Sequence, residues 1–529
     1  MAQGAPSAPR VLPGSLPGTE RWLLCLRNPS FQRSAQLRLI RAQPTVDGRR
    51  AQLAAYKQVV LADRATEERA IAAAGGRVER HFWMEDVIEV EIPPSAVPGL
   101  RGLARVARAV PVHVRQLADA EPAGAGVGTS LAAPRPLPIG VSTDPLNHNV
   151  ARAWGILANS NGVPYRGEGA RVAVFDSGID RDMNGMTVVE EPHPGLVDGA
   201  GVSRVEVHLQ VQGTRHVDVN TIDGSGVSPF CGGTPVGYRP FINPQVPDGH
   251  SGLAGHGTAM ASIIAGNGYT FWSTPMAPGH ASGAKLIDVA YTSYPAGPLG
   301  AADFWGNTDA DLLGGVDLLW AYLLEIGDSP GAMHVLNLSI GADPDPFHPS
   351  ILALDRIAKE MDILVVVCAN NTSDTTQSSA GGYHALSVGA VHARTDASPA
   401  PNLAFVPMQQ TARGPLFSDH RRFYPDVCAT GAGPGTVVTS GGTSVREFRY
   451  PLGGWSNQFA MDSGLLMYGI DLYDVQATGT WGNDVTPRRW RSGTSEAACQ
   501  VSGAAALYRG YRQSKGTPAT AEEARAAIL

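Results

Sequence analysis

The sequence is short of cysteine, carries no strong charge of either sign and has no long apolar run. Its five cysteines (Cys25, Cys231, Cys368, Cys428, Cys499) are odd in number, widely spaced and form no CxxC pair. That argues against both a disulfide framework and a zinc site, and leaves reduced, mostly buried thiols as the expectation. A formal charge of −7 over 529 residues is mild, so neither nucleic acid nor a membrane surface is an expected partner. Arg488, Arg489 and Arg491 are read as solvated surface. No run is long enough to span a bilayer, and the N-terminal MAQGAPSAPRVLPGSLPGTERW has Pro and Gly where a secretory leader needs an uninterrupted apolar stretch. A cytoplasmic monomer is expected, with export lacking a recognisable leader as the alternative.

What is present is enough apolar content, 43%, for one large core and a smaller one. Residues 1–50 open Pro/Gly-rich, give a strand-like run at Trp22 to Leu26, and stay unassigned. Residues 51–116 read as a small β-α-β-β-α-β sandwich. Its pieces are a strand QVVLA from Gln58, a helix ATEERAIAAAG closed by Gly75, strands RVERHFW and VIEVEIP, a helix from Ser95 to Leu103, and a strand RVARAVPVHVR. Residues 117–143, including PAGAGVGTSLAAPRPLPIG, are too rich in Pro, Gly and Ala to bury much and read as an exposed, cleavable linker. Residues 144–529 alternate apolar strands (RVAVFD, KLIDVAY, MHVLNLSIG, ILVVVCA, HALSVGAV) with helical runs near Leu312 to Leu324 and Ile351 to Met361. Strands apolar at nearly every position predict an α/β fold with a mostly parallel sheet covered on both faces, a three-layer arrangement.

Three segments carry chemistry. RVAVFDSGID delivers one carboxylate, Asp176, at the end of a buried strand, where open α/β sheets place their sites; a turn-capping Asp is the plain alternative. GHGTAMASIIAG puts His256 between glycines at the start of a helix whose Met260, Ile263 and Ile264 have burial spacing. SGTSEAACQVSGAAALY opens a core helix with Ser495, so that the hydroxyl sits where unpaired amides and the helix dipole favour negative charge. GTS also occurs at Gly128-Thr129-Ser130 and Gly442-Thr443-Ser444, but the first lies in the linker and the second runs into VREFRYP, which cannot form a buried helix.

In that order, Asp176, His256 and Ser495, the segments resemble the subtilisin-like serine peptidase family, whose order of triad residues is well known. MHVLNLSIG resembles the family strand lining the S1 pocket, with Ser339, Ile340 and Gly341 at matching positions. ILVVVCANN resembles the strand that ends in the oxyanion-hole Asn, which makes Asn371 the match. TARGPLF and YPDVCATG resemble a further family pair, and residues 58 to 115 weakly resemble the family's inhibitory propeptide. The resemblance implies a small ferredoxin-like α+β prodomain before the catalytic domain, and an endopeptidase acting through an acyl-enzyme on protein or peptide substrates. It implies substrate subsites at Leu338, Ser339, Ile340, Gly341, Ala369, Gly306, Asn307, Thr308 and Thr494, no required cofactor, and the chain's own prodomain as inhibitor.

Some positions depart from the family. Asn370 stands for its Gly, and Cys499 for its Pro, where a small buried thiol is the expectation. The calcium-binding Asp has no clear match, so calcium is left open and no metal ligand is named. The stretches from Asp176 to His256 and from Gly431 to Arg491 exceed the family core and are read as insertions. Two other activities stay open: a peptide transferase or macrocyclase on the same acyl-enzyme, and a catalytically dead binding module.

Overall fold

The computed structural model describes residues 17–115, 150–159, 161–176, 178–179, 181–183, 190–192, 194–211, 256–267, 270–271, 274–275, 278–290, 307–326, 333–341, 345–371, 382–392, 411–412, 414–415, 423–432, 437–440, 443–446 and 493–529. The expected linker, Gly306 and most of both insertions lie outside these residues. No helix among the described residues is long and apolar enough to cross a membrane.

The small N-terminal sandwich starts earlier than the sequence suggests. Strand β1 (Glu20–Leu26) is its central strand, flanked antiparallel by β3 (Val87–Ile92) and β4 (Val106–Pro111), with β2 (Arg77–Phe82) outside β3. QVVLA is not a strand. It lies inside helix α2 (Val46–Ala73), which follows the shorter α1 (Arg33–Arg41). Thr45 caps α2 by accepting the Gly48 N–H, and Gly75 ends it in the left-handed region at φ 76°. The buried stripe of α2 is Tyr56, Val60, Arg64, Glu67 and Ile71, which has helical spacing. Thus Val59, Val60 and Leu61, a strand-like triplet in isolation, obey the helix. The β-α-β-β-α-β order holds with β1 as its first strand, α3 (Val97–Arg101) as its second helix, and the sandwich running from Glu20. A short strand β5 (Val114–Arg115) follows, and helix α4 (Val150–Ile156) opens the next described stretch.

In the larger domain, seven strands pair in parallel, with a register shift at each outer pair. Numbered in chain order they are β6 (Arg171–Asp176), β7 (Val205–Gln210), β8 (Lys285–Ala290), β10 (Val335–Leu338), β11 (Leu364–Cys368), β12 (Ala385–His392) and β13 (Val427–Ala432). Their order across the sheet is β13-β12-β11-β10-β6-β8-β7. Leu338 pairs with Phe175 and with Val367, and Asp176 with Ala290, so β6, β10 and β11 end level at one edge. Helices α6 (Asp309–Ile326) and α7 (Pro349–Met361) pack with one apolar cluster that includes Phe175 and Leu336. Helices α5 (His256–Ala265) and α8 (Thr494–Ser514) share the other, with Val172 and Val174. Opposite residues of β6 thus serve both faces, as a doubly covered parallel sheet requires. GTSV at residues 442–445 enters a short strand, β15 (Thr443–Arg446), hairpinned on β14 (Val437–Ser440), so Ser444 does not open a helix.

The two domains share the first cluster: Leu37, Leu53, Tyr56, Trp83 and Met84 pack with Leu312, Leu319 and Leu323 of α6. Charges are buried at the joint. Arg80 reaches both Glu89 (2.6 Å) and Asp311 (2.8 Å), Arg50 pairs with Glu325 at 2.7 Å, and the Asp317 carboxylate accepts the Trp83 and Met84 N–H groups at 2.9 and 3.2 Å. Burial, reinforced by Glu85, pushes the Asp317 carboxyl up to about 8. Burial pushes Glu85 up to about 7 against the pull of Arg356 and Arg33. In the unfolded chain both titrate near pH 4, so the folded joint holds extra protons, and its stability declines as pH rises through 7 and 8. His81 and His334, which burial lowers to about 4, titrate only below about pH 6.5 and leave the window above it clear. Thermal unfolding between pH 6.5 and 8.5 should show a falling Tm, and Glu85→Gln should flatten the slope. A wild-type Tm that rises across that window contradicts the assignment.

Candidate active site

The level ends of β6, β10 and β11 place three chain segments along one edge of the sheet. Asp176 is the last residue of β6 and fully buried. His256 is the first residue of α5; its imidazole lies outside the described atoms. The first turn of α5 abuts the turn after Asp176, since a Cβ on Gly257 would stand 2.3 Å from the Gly178 carbonyl oxygen. Only glycine permits that approach, which sets the residue after His256 against the residue two positions beyond Asp176. Met260, Ile263 and Ile264 are buried as their spacing predicts.

Helix α8 begins at Thr494, with Gly493 before it and Ser495 fully buried in its first turn. The Ser495 hydroxyl donates to the Ser339 carbonyl at 3.1 Å, and the Ser339 hydroxyl donates to the Ser495 carbonyl at 3.2 Å. Ser339 in turn accepts the Asn337 side-chain amide at 2.9 Å, and Ser502 donates to Asn337 Oδ1 at 2.8 Å. Cys499 Sγ lies 3.4 Å from Ser339 Oγ, and burial pushes its thiol well above the ordinary range, which makes it a packing group and not a reactive one. Ser495, Cys499 and Ser502 occupy one helix face at i, i+4 and i+7. This brace of Asn337 and Ser502 was not read from the sequence, although an Asn inside the apolar run VLNL is its signal.

Asn371 is held against the same helix. Its Oδ1 accepts from the Thr494 N–H at 2.9 Å and the Thr494 hydroxyl at 3.1 Å. A backbone N–H can only donate, so the acceptor here is the oxygen and the amide orientation is fixed by chemistry. Asn370 donates its N–H to Thr494 Oγ1 at 3.1 Å and has φ 84°. That left-handed backbone explains the departure from Gly: Asn is the side chain that best tolerates it. Of the expected subsites, Leu338, Ser339, Ile340 and Ala369 are buried. Thr308 spends its side chain on the cap of α6, where its hydroxyl and N–H donate to Asp311 Oδ2 at 2.7 and 3.0 Å. The backbone of β9 (Asn307–Thr308) is already paired antiparallel with β5, Thr308 opposite Val114 and Asn307 opposite Arg115. Cys25, Cys368, Cys428 and Cys499 stand outside any disulfide.

The profile of the subtilase family of peptidases matches residues 167–529. The chain belongs to the subtilase family. It is a serine peptidase by that membership, and the matched region contains all three motif segments. No curated protein sequence matches it. Among solved structures, the subtilase chain is similar to fervidolysin from Fervidobacterium pennivorans, a keratinolytic enzyme related to subtilisin. The two are 15% identical with a TM-score of 0.46, over 97% of this chain and 57% of that one. It is also similar to the epidermin leader peptide processing serine protease of Staphylococcus aureus, at 11% identity and a TM-score of 0.47, over 96% of this chain and 92% of that one.

Asn370→Ala should destabilise this subtilase by up to about 1–2 kcal/mol, because alanine keeps the left-handed backbone without the local hydrogen bond that Asn370 Oδ1 accepts from the Asn371 N–H at 2.8 Å, while Asn370→Gly should lose less. Denaturant unfolding of the two variants measures this, and equal losses would refute the backbone explanation.

Proposed function

We propose that this subtilase is an endopeptidase in which Asp176, His256 and Ser495 form the triad and Asn371 serves the oxyanion. The observation that supports it most is the pair of hydrogen bonds from Thr494 to Asn371 Oδ1. They fix the amide beside the nucleophile segment and turn its donor nitrogen to the opposite side. Ser495 releases the Ser339 carbonyl, passes its proton to His256 and attacks the peptide carbonyl; the imidazolium formed is stabilised by Asp176. Oxyanion charge then develops at the N-terminal turn of α8, where the Ser495 N–H has no partner within its helix and the dipole is favourable. His256 returns the proton to the leaving amine, and water repeats the sequence on the acyl-enzyme.

The N-terminal sandwich is proposed as the inhibitor of this site. Supporting it, β5 adds a strand to β9, the way an extended substrate is expected to bind. The neighbouring backbone is pinned too: Asp309 N–H donates to His113 O at 3.2 Å, and His113 N–H donates to Asp309 Oδ2 at 3.1 Å.

A fluorophosphonate probe should label the wild type at Ser495 and leave Ser495→Ala unlabelled. Incubated side by side, the wild type should shorten to a species starting between residues 115 and 145 while Ser495→Ala stays whole. Labelling that survives in Ser495→Ala overturns the nucleophile assignment. An intact wild type that cleaves peptides at full rate overturns the inhibitor. Asn371→Ala should lower kcat by about 10²–10³-fold at nearly constant KM, the cost reported for this donor in subtilisin itself; a loss confined to KM would refute its role.

A further inference from the structure

We infer that His113, Asp309 and His348 form a binding site for a single borderline transition cation, of the zinc class, which clasps the tail of the N-terminal sandwich to the catalytic domain. The three come from separate places: His113 directly precedes β5, Asp309 opens α6, and His348 caps the start of α7. Their ligand atoms all lie within 4.8 Å of one another. Asp309 Oδ2 is 3.5 Å from His113 Nδ1 and 3.6 Å from His348 Nε2. Zinc bonds of about 2.0–2.1 Å at tetrahedral angles put neighbouring ligand atoms roughly 3.3–3.4 Å apart. Both Asp309–His separations are thus within about 0.3 Å of that spacing, and the two ring nitrogens, within 4.8 Å of each other, close the third side on binding.

The donor set also selects the ion. Two imidazoles and one carboxylate suit zinc, cobalt or nickel, whereas calcium and magnesium call for oxygen donors. The surroundings orient the ligands: Asp309 Oδ2 accepts the His113 N–H at 3.1 Å, and His348 Nδ1 lies 2.7 Å from Ser350 Oγ. With Nδ1–H donating to that hydroxyl, His348 presents the Nε2 lone pair to the ion. The Ser350 N–H, at 3.3 Å from Nδ1, then gives up its own contact, a weak one at that length. Asp309 and His348 are buried and His113 is half-exposed, which leaves a path for entry. Because one ligand stands on the tail that occupies β9 and two on the catalytic domain, an ion bound here binds the docked form alone. At a hundredfold excess over its Kd it would shift docking by about a hundredfold.

The clasp rests on the inhibitor reading above; the site does not. Chelator-stripped, full-length Ser495→Ala chain titrated with Co²⁺ should give tetrahedral d–d absorption at one equivalent, displaced by Zn²⁺. His113→Ala and His348→Ala should each weaken it at least about tenfold. His113 is half-exposed, so its variant tests the site without disturbing a core. No absorption, or binding unchanged in His113→Ala, overturns the site. With the Ser495 nucleophile present, zinc should slow self-shortening, and His113→Ala should abolish that slowing. Slowing that persists in His113→Ala places the ion elsewhere, and an unaffected rate removes the clasp. A chain that binds Co²⁺ but never shortens removes the inhibitor reading and the clasp with it, leaving the site itself.

Discussion

The parallel register of three adjacent strands governs the rest of the molecule. Because Leu338 pairs with both Phe175 and Val367, β6, β10 and β11 end at one level, and the residues just beyond them, Asp176 at the last position of β6, Ser339, and Asn370 with Asn371, meet at one edge. A slip of one residue would turn each side chain to the opposite face and send an apolar position to the wrong layer. Both faces of β6 are covered, so the register is locked twice, once by each cluster. Chemistry is placed at this edge by packing, and the polar groups there need only short hydrogen bonds to be held.

Those hydrogen bonds converge on the first three turns of α8. Thr494 takes Asn371 and Asn370, Ser495 exchanges hydrogen bonds with Ser339, and Ser502 steadies Asn337 two turns further along the same helix face. A helix rich in Ala, Gly and Ser can lie close enough to the sheet for this; larger side chains would hold the two apart. The same closeness accounts for Cys499, a small thiol among these contacts whose burial removes its reactivity.

How much of this the sequence discloses depends on the range of the interaction involved. Five strands of the large sheet and helices α5 to α8 are legible, because a doubly covered parallel sheet writes apolar runs and a core helix writes small residues. The site segments are legible because their glycines and small residues are local requirements of close approach. The first strand of the small sandwich lies at Glu20–Leu26 and not at Gln58, and the cause is chemical: Arg64 and Glu67 sit in the buried stripe of α2. Arg64 is buried because it donates to the carbonyls of Phe82, Glu85 and Val87 from across the domain. With Arg64 read as surface, the apolar run of Val59, Val60 and Leu61 looks like a strand, and only the end of the helix, ATEERAIAAAG, shows in the pattern. His113, Asp309 and His348 lie beyond sequence reading altogether, since 196 residues separate the first two.

The joint between the two domains combines two kinds of contact with different consequences. Its apolar part is continuous with the core of the catalytic domain, Trp83 and Met84 lying with Leu319 and Leu323, so it resists separation without specifying orientation. Its charged part specifies orientation at little net gain: Arg80 with Asp311 and Arg50 with Glu325 must be desolvated on docking, and such pairs roughly break even against apolar replacements. Removing one partner is another matter, because the survivor is left charged and buried. Orientation is what places β5 alongside β9, and a rotation of the sandwich by a few degrees would carry that two-residue ladder out of register. The buried charges thus act on the cleft from a distance, by fixing the angle at which the tail arrives.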